Sequence, residues 1–385
     1  MAEFVLTGPR GDNPLGFLTA LGALATLEDA GQPARLGWQR LAPRLVVEER
    51  PDAGIPAITN REDLVRMLHR ALRRSAGALA SETDSARRDM ELARTAAKKK
   101  AEEIKRRKLD REAAREARQR ELQPLQRQVL ERTQRFRELL MRSAPDPAVT
   151  LGKNLTAPNA ELLEHVRDVR DRCGSLGRRP VDLAAAFGVA NPARPLDRML
   201  SSPWALVSGG GHQDFLASVQ ALMIECTEKH IEQALFGPWE PRDERYSLRL
   251  DAGEDRRYAL MDRDPTASGN KPLTLWGANR LAFEALRFFP CVPAREGMAV
   301  LAWRAGSANW QESCRVRWPL WDEPIRPDVL RSLLGLPDIW LDANPISRLR
   351  LRGLGIRAVM ESTRIASGEG ANKRYNLTPA WPVWG

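Results

Sequence analysis

The chain has 385 residues, enough for two or three domains and at least one sizeable hydrophobic core. Apolar residues make up 43% and charged residues 29%, and no apolar run approaches the ~20 residues that span a bilayer, so a globular protein without a membrane span is expected. The formal charge of +10 is concentrated, with 19 Lys/Arg against 12 Asp/Glu between Glu82 and Arg142, and such a block favours polyanionic partners.

The opening "EFVLTGPRGDNPLGFLTALGALATLEDAG" predicts a strand, a tight loop and a helix. Asp12 or Asn13 serves as the cap, Pro14 sits at the first helical position, and Gly31 ends the helix. "ARLGWQ" and "PRLVVEE" read as two strands, and "TNREDLVRMLHRALRR" as a helix with a capping box formed by Thr59 and Glu62. Residues 1–80 are thus expected to form an N-terminal α/β portion.

Residues 81–147 have a different texture. Between positions 82 and 143 there is no Gly and one Pro, and Ala, Glu, Lys, Arg, Gln and Leu dominate, which is strongly helical. Between Ala93 and Glu121 the only large apolar residues are Ile104 and Leu109. A helix this polar projects into solvent or lies on something charged, so a protruding arm is expected. Pro124 is expected to break it into two limbs, the second facing a core or partner through Leu125, Val129, Phe136 and Leu140.

Residues 148–385 read as a C-terminal α+β portion. "TAPNAELLEHVRDVRDRC" places Leu162, Val166, Val169 and Cys173 on one helical face, and Phe215, Val219, Leu222 and Cys226 form the buried face of another helix. The runs "YSLRL", "RYALM", "AVLAWR" and "CRVRWPLW" alternate as antiparallel strands, interrupted by the helix "GANRLAFEALRFF". The end reads as a hairpin around a Gly-rich basic loop, followed by an aromatic tail. The fold class expected overall is α+β.

Chemistry is hard to place on this chain. Gly209, Gly210 and Gly211, followed by His212 and Gln213, open the helix that starts near Phe215. Neither the lysine nor the hydroxyl of a nucleotide-hydrolysing loop follows, and Asp214 stands where a dinucleotide fold needs glycine. What remains is an anion nest at a helix N-terminus or a tight turn that uses glycine only for backbone freedom. The four histidines, His69, His165, His212 and His230, show no metal spacing, and His69 and His165 are expected on the polar faces of amphipathic helices. Asp262 and Asp264 can hold Mg²⁺ or be neutralised by the arginines around them. Cys173, Cys226, Cys291 and Cys314 are too widely spaced for a disulfide framework or zinc motif, and there is no signal-peptide pattern, so a reducing cytoplasmic setting is expected. No catalytic residue, metal or cofactor is expected.

Binding is better served. Among 11 tryptophans, several lie beside basic residues in "AWR" and "RVRWPLW", a pattern that suits base stacking and phosphate contact or simply fills a sheet. Two loop tips combine Gly, Asn and Lys: Asn270 with Lys271, and Asn372 with Lys373 and Arg374. On the arm, Lys98, Lys99, Lys100, Lys105, Arg106, Arg107 and Lys108 are the expected phosphate contacts.

The stretches "TGPRGDNPLGFLTALGALATL", "PWALVSGGGHQDFL", "LFGPWEPRDERYSLRLDAGEDRRYALMDRDP", "GANRLAFEALRFFP" and "RVRWPLW" together resemble large subunits of CRISPR type I effector complexes of the U/G subtype. The resemblance covers residues 1–60 and 195–321, and the charged helices at 82–143 match nothing in it. It implies a non-catalytic subunit of an RNA-guided surveillance complex. Such a subunit recognises the motif beside the target in double-stranded DNA, supports the displaced strand and docks a helicase-nuclease. The implied partners are the CRISPR RNA-bound backbone subunits, target DNA and that helicase-nuclease. The chain is short for such a subunit. Two other classes stay open: a metal-dependent nuclease using Asp262 and Asp264, and a scaffold whose coiled-coil-like arm binds a protein.

Overall fold

The computed structural model describes residues 1–48, 57–74, 81–107, 109–143, 146–191, 198–207, 214–254, 273–294, 297–305, 313–341, 344–367 and 374–384. The chain is of mixed α+β class and forms two compact units, Met1–Arg73 with Pro147–Gly385, and Arg74–Asp146. The segments before and after the charged insert, separate in sequence, therefore build one body.

That body begins with β1 (Ala2–Val5), α1 (Pro14–Asp29), β2 (Ala34–Gln39), β3 (Ala42–Val47) and α2 (Arg61–Arg74). The three strands form an antiparallel sheet in the order β1-β3-β2. Asn13 caps α1 by accepting the Gly16 N–H, and Pro14 follows it. For α2 the cap is shifted by one residue from the expected Thr59/Glu62 pair. Asn60 accepts the Asp63 N–H at 2.9 Å, and the Asp63 carboxylate accepts the Thr59 hydroxyl at 2.9 Å. Either register offers a hydroxyl or amide three residues before a carboxylate, so the motif alone did not choose between them.

After the insert come α6 (Asn159–Asp171), α7 (Cys173–Leu176), α8 (Arg179–Phe187), β4 (Gly188–Val189), β5 (Leu200–Ser201), α9 (Phe215–Glu225) and α10 (Glu228–Phe236). Then follow β6 (Asp243–Glu244), β7 (Leu273–Thr274), α11 (Trp276–Ala285), β8 (Cys291–Ala294), β9 (Gly297–Val300), β10 (Trp303–Ala305) and β11 (Cys314–Trp321). The chain ends with α12 (Pro327–Leu334), α13 (Pro345–Gly353), β12 (Ile356–Ser367), β13 (Arg374–Leu377) and β14 (Trp381–Trp384). Strands β10-β11-β12-β13 form one antiparallel sheet, with β14 also on β12.

The core is built on α1 and α11, both buried on nearly every side, α1 through apolar residues and α11 through apolar residues together with Asn279, Arg280 and Glu284. Gly22 is where they meet. A Cβ there would lie 1.8 Å from the backbone oxygen of Leu281, so only glycine permits this approach. Phe17 of α1 stacks on Trp38 and Trp318 at 5.8 and 5.4 Å, and Trp321 meets Trp38 edge-on. The indole N–H groups of Trp318 and Trp321 donate to the Gly11 and Leu36 carbonyls, which ties the N-terminal layer to the C-terminal sheet.

One ionic cluster is also buried. Glu284 on α11, 1% exposed, accepts two bonds from Arg179 at 2.7 Å and one from Arg280 at 2.6 Å. Burial opposes its ionisation, but the two guanidiniums outweigh it and hold the carboxyl far below its ordinary range.

Two expectations about side chains and strands are corrected. His165 is buried on α6 beside Leu162 and Val169, not on a polar face, and stacks on Phe187; burial lowers its pKa. "YSLRL" is not a strand, because Arg245, Tyr246 and Arg249 have φ of 68°, 56° and 58°. Its alternation still marks burial, since Leu248 and Leu250 point into the core.

The second unit is a helical hairpin of α3 (Ser81–Arg106), α4 (Arg111–Ala117), a π turn (Arg118–Leu122) and α5 (Gln123–Ser143), with α3 packed on α5. The reversal is not at Pro124 as expected but between α3 and α4, and Asp110 caps α4 by accepting the Glu112 and Ala113 N–H groups. Pro124 stays inside the second limb, because the wide π turn before it relieves the clash a proline ring makes with an ordinary helix.

Candidate nucleic-acid interface

The hairpin sorts its cations by helical position. Ala86, Met90, Ala93 and Ile104 are buried on α3, and Thr133 and Phe136 on α5, a thin seam at three- and four-residue spacing. Continued along α3, that spacing reaches Lys100 and Arg107. These two are engaged in ion pairs. Lys100 pairs with Glu103 at 2.8 Å and Glu121 at 3.5 Å, and Arg107 pairs with Glu103 and, at 2.7 Å, with Glu121. Glu121 lies on the opposite limb, so the four residues clamp the hairpin. Hydrogen bonds from Lys100 and Arg107 hold the Glu103 carboxyl down at about 2.

Lys98, Lys99, Lys105 and Arg106 fall off the seam. All four are exposed, and among the described residues none forms an ion pair with a carboxylate. The block expected to grip phosphate thus divides into two clamp residues and four exposed cations. Lys108 lies outside the described residues.

Most of the remaining expected sites also lie there. Gly209, Gly210, Gly211, His212, Gln213, Asn270, Lys271, Asn372, Lys373, Asp262 and Asp264 are outside the described residues, and Arg374 is described only as the first residue of β13. Next to the glycine run, Asn154 accepts the Phe215 N–H that opens α9, and Phe215, Val219, Leu222 and Cys226 are buried as expected.

The tryptophan–arginine interleaving divides as well. Trp303, Trp318 and Trp321 are buried, so they fill the core and cannot stack bases. The arginines between them form a ledge that the sequence reading did not single out. Arg304 and Arg315 are direct cross-strand partners on β10 and β11, a like-charge pairing that is unfavourable by itself. Arg317, two residues along the same face, pairs with Glu361 at 2.6 Å, and Arg315 reaches the same carboxylate at 3.6 Å. Half-buried Trp340 completes the ledge, with the guanidiniums of Arg304 and Arg317 at 4.7 and 4.9 Å from its ring centre. Among the described residues, no carboxylate pairs with Arg304. Burial lowers its pKa, and the nearby charges of Arg317 and Arg315 act in the same direction. With Glu361 taken up by Arg317 and Arg315, exposed Arg304 and Arg315 form a surface suited to an anion.

Other chemistry has little to stand on among the described residues. No three His, Cys, Asp or Glu side chains converge as a metal ion would require. Cys226, Cys291 and Cys314 are free thiols that burial pushes up to about 12, which keeps them protonated and unreactive at neutral pH. Among the described residues, no helix is long and apolar enough to cross a membrane. In comparisons with known proteins, the chain matches no family model and no curated sequence.

Proposed function

We propose that this chain is a non-catalytic subunit of an RNA-guided DNA surveillance complex of the CRISPR type I kind. In this role it contacts the target duplex and displaced strand by charge, reads the target-adjacent motif and helps recruit the helicase-nuclease. The observation that carries the nucleic-acid part is the division of labour on the hairpin. A narrow seam and a four-residue clamp hold the two limbs together, while Lys98, Lys99, Lys105 and Arg106 stay exposed and unpaired with any described carboxylate. Such an array suits a phosphate backbone and carries no sequence preference. The exposed Arg304–Arg315 pair adds a second cationic surface. The wider assignment to a surveillance complex rests on the sequence resemblance.

Two experiments test this reading. Neutralising the four cations with Gln should weaken binding to all DNA sequences alike. Purification from cells holding the neighbouring genes should bring along a short RNA and companion subunits; a chain that purifies alone and leaves nucleic acid unbound would overturn it. The scaffold reading has less support, because α3 and α5 already satisfy the seam within one chain.

A further inference from the structure

We propose that the outward face of α13 (Pro345–Gly353) is a docking site for an acidic, amphipathic segment of a partner protein. The helix is a fixed platform. Asn344 caps it by accepting the Ile346 N–H at 2.9 Å, Pro345 occupies its first turn, and Ser347 and Leu351 are buried on one side. Helical spacing puts Ile346, Leu349 and Gly353 on the opposite side. There Ile346 and Leu349 are 63% and 67% exposed, and Leu341 and Leu354, flanking the helix, are 45% and 54% exposed. Around position 353 a Cβ would meet nothing within 4 Å, so bare backbone is open to a close neighbour.

Charge identifies the occupant. Arg348 and Arg352 border the apolar stripe on one side and Arg350 on the other, and α13 contains no acidic residue. Among the described residues, the carboxylate that pairs with Arg350 is Asp338, at 4.0 Å, and Arg352 lies 5.8 Å from the Trp384 ring centre. An aliphatic stripe between guanidiniums complements a helix with Leu or Ile knobs bordered by Glu or Asp. A nucleic-acid backbone would satisfy the arginines but leave Ile346 and Leu349 against phosphate and water. A bilayer surface is a poor match, since the helix is short and the stripe has no aromatic anchor.

The test titrates the full chain into two labelled synthetic peptides that carry Leu at the same helical spacing, one bordered by Glu and one by Lys. The acidic peptide should bind and the basic one should not. Leu349→Glu should weaken the acidic peptide by at least about tenfold. The double variant Arg348→Glu/Arg352→Glu should lose the acidic peptide and gain the basic one. All three positions are exposed, so circular dichroism should stay at wild type, and DNA binding through the hairpin should be unchanged. Four outcomes would overturn the proposal: no binding of the acidic peptide, equal binding of both, insensitivity to Leu349→Glu, or preferential binding of single-stranded DNA or anionic vesicles at this face. Self-association abolished by Leu349→Glu would assign the face to a second copy instead and would also overturn it.

Discussion

Glu284 and Glu103 are both carboxylates held by two cations, in opposite surroundings. Glu284 sits at 1% exposure between Arg179 and Arg280 in the compact unit, whereas Glu103 lies open to solvent between Lys100 and Arg107 in the hairpin. In the first setting each ion is costly to bury, so removing one partner strands the others. In the second, water and salt screen the charges, so the pairs set local geometry more than stability. The compact unit uses charge to fix its interior. The hairpin uses a few charges to stay closed and leaves the rest to solvent.

The largest effect expected from this contrast is at Glu284. Glu284→Gln leaves Arg179 and Arg280 buried with one neutral partner and should cost about 3–5 kcal/mol in denaturant unfolding. The pH dependence has a definite sign. The folded carboxyl ionises far below its ordinary 4.5, so its contribution is present above that value and is lost as the pH falls below it. The wild-type midpoint should therefore drop on acidification, and the variant should drop less. Gly22→Ala comes next. The added methyl meets the Leu281 carbonyl and should destabilise by about 1–3 kcal/mol through overpacking. In the hairpin, Asp110→Ala removes the cap of α4 and should cost about 1 kcal/mol, read as faster amide exchange near residues 111–114. The smallest effect belongs to the clamp. Glu121→Gln should leave the global unfolding midpoint unmoved while raising exchange at the hairpin turn. A large loss of global stability there would show that the contrast drawn here is wrong.

These two regions were also unequally legible from the sequence. In the compact unit, Asn13 and Pro14, the strands "ARLGWQ" and "CRVRWPLW", and the buried stripe of α9 all followed from local pattern. "YSLRL" misled because period-two burial can be met by left-handed turns as well as by a strand, and Asn279 supplies the hydrogen bond that a neighbouring strand would have made. His165 misled because imidazole is apolar enough to be buried against Phe187. In the hairpin, helicity was plain from composition, but the seam mixes the small side chains Ala86 and Ala93 with widely spaced Met90 and Ile104 and lacks a continuous run of large apolar residues, so it did not register. The same omission made seven cations look alike. The Arg304–Trp340 ledge depends on strand pairing and on a turn that lies beyond β11 and α12 in the chain, which no local pattern reports.

The salt dependence of duplex binding tests the central claim most directly. Affinity is measured from low to moderate salt for wild type, for Lys98→Gln/Lys99→Gln/Lys105→Gln/Arg106→Gln, and for the clamp variant Glu121→Gln. If the four exposed cations contact phosphates, the slope of log affinity against log salt should flatten by up to about 0.9 for each, independent of sequence. The clamp variant should keep the wild-type slope. An unchanged slope in the quadruple variant would mean that these side chains only solvate the hairpin, and the account of it as a nucleic-acid surface would fail.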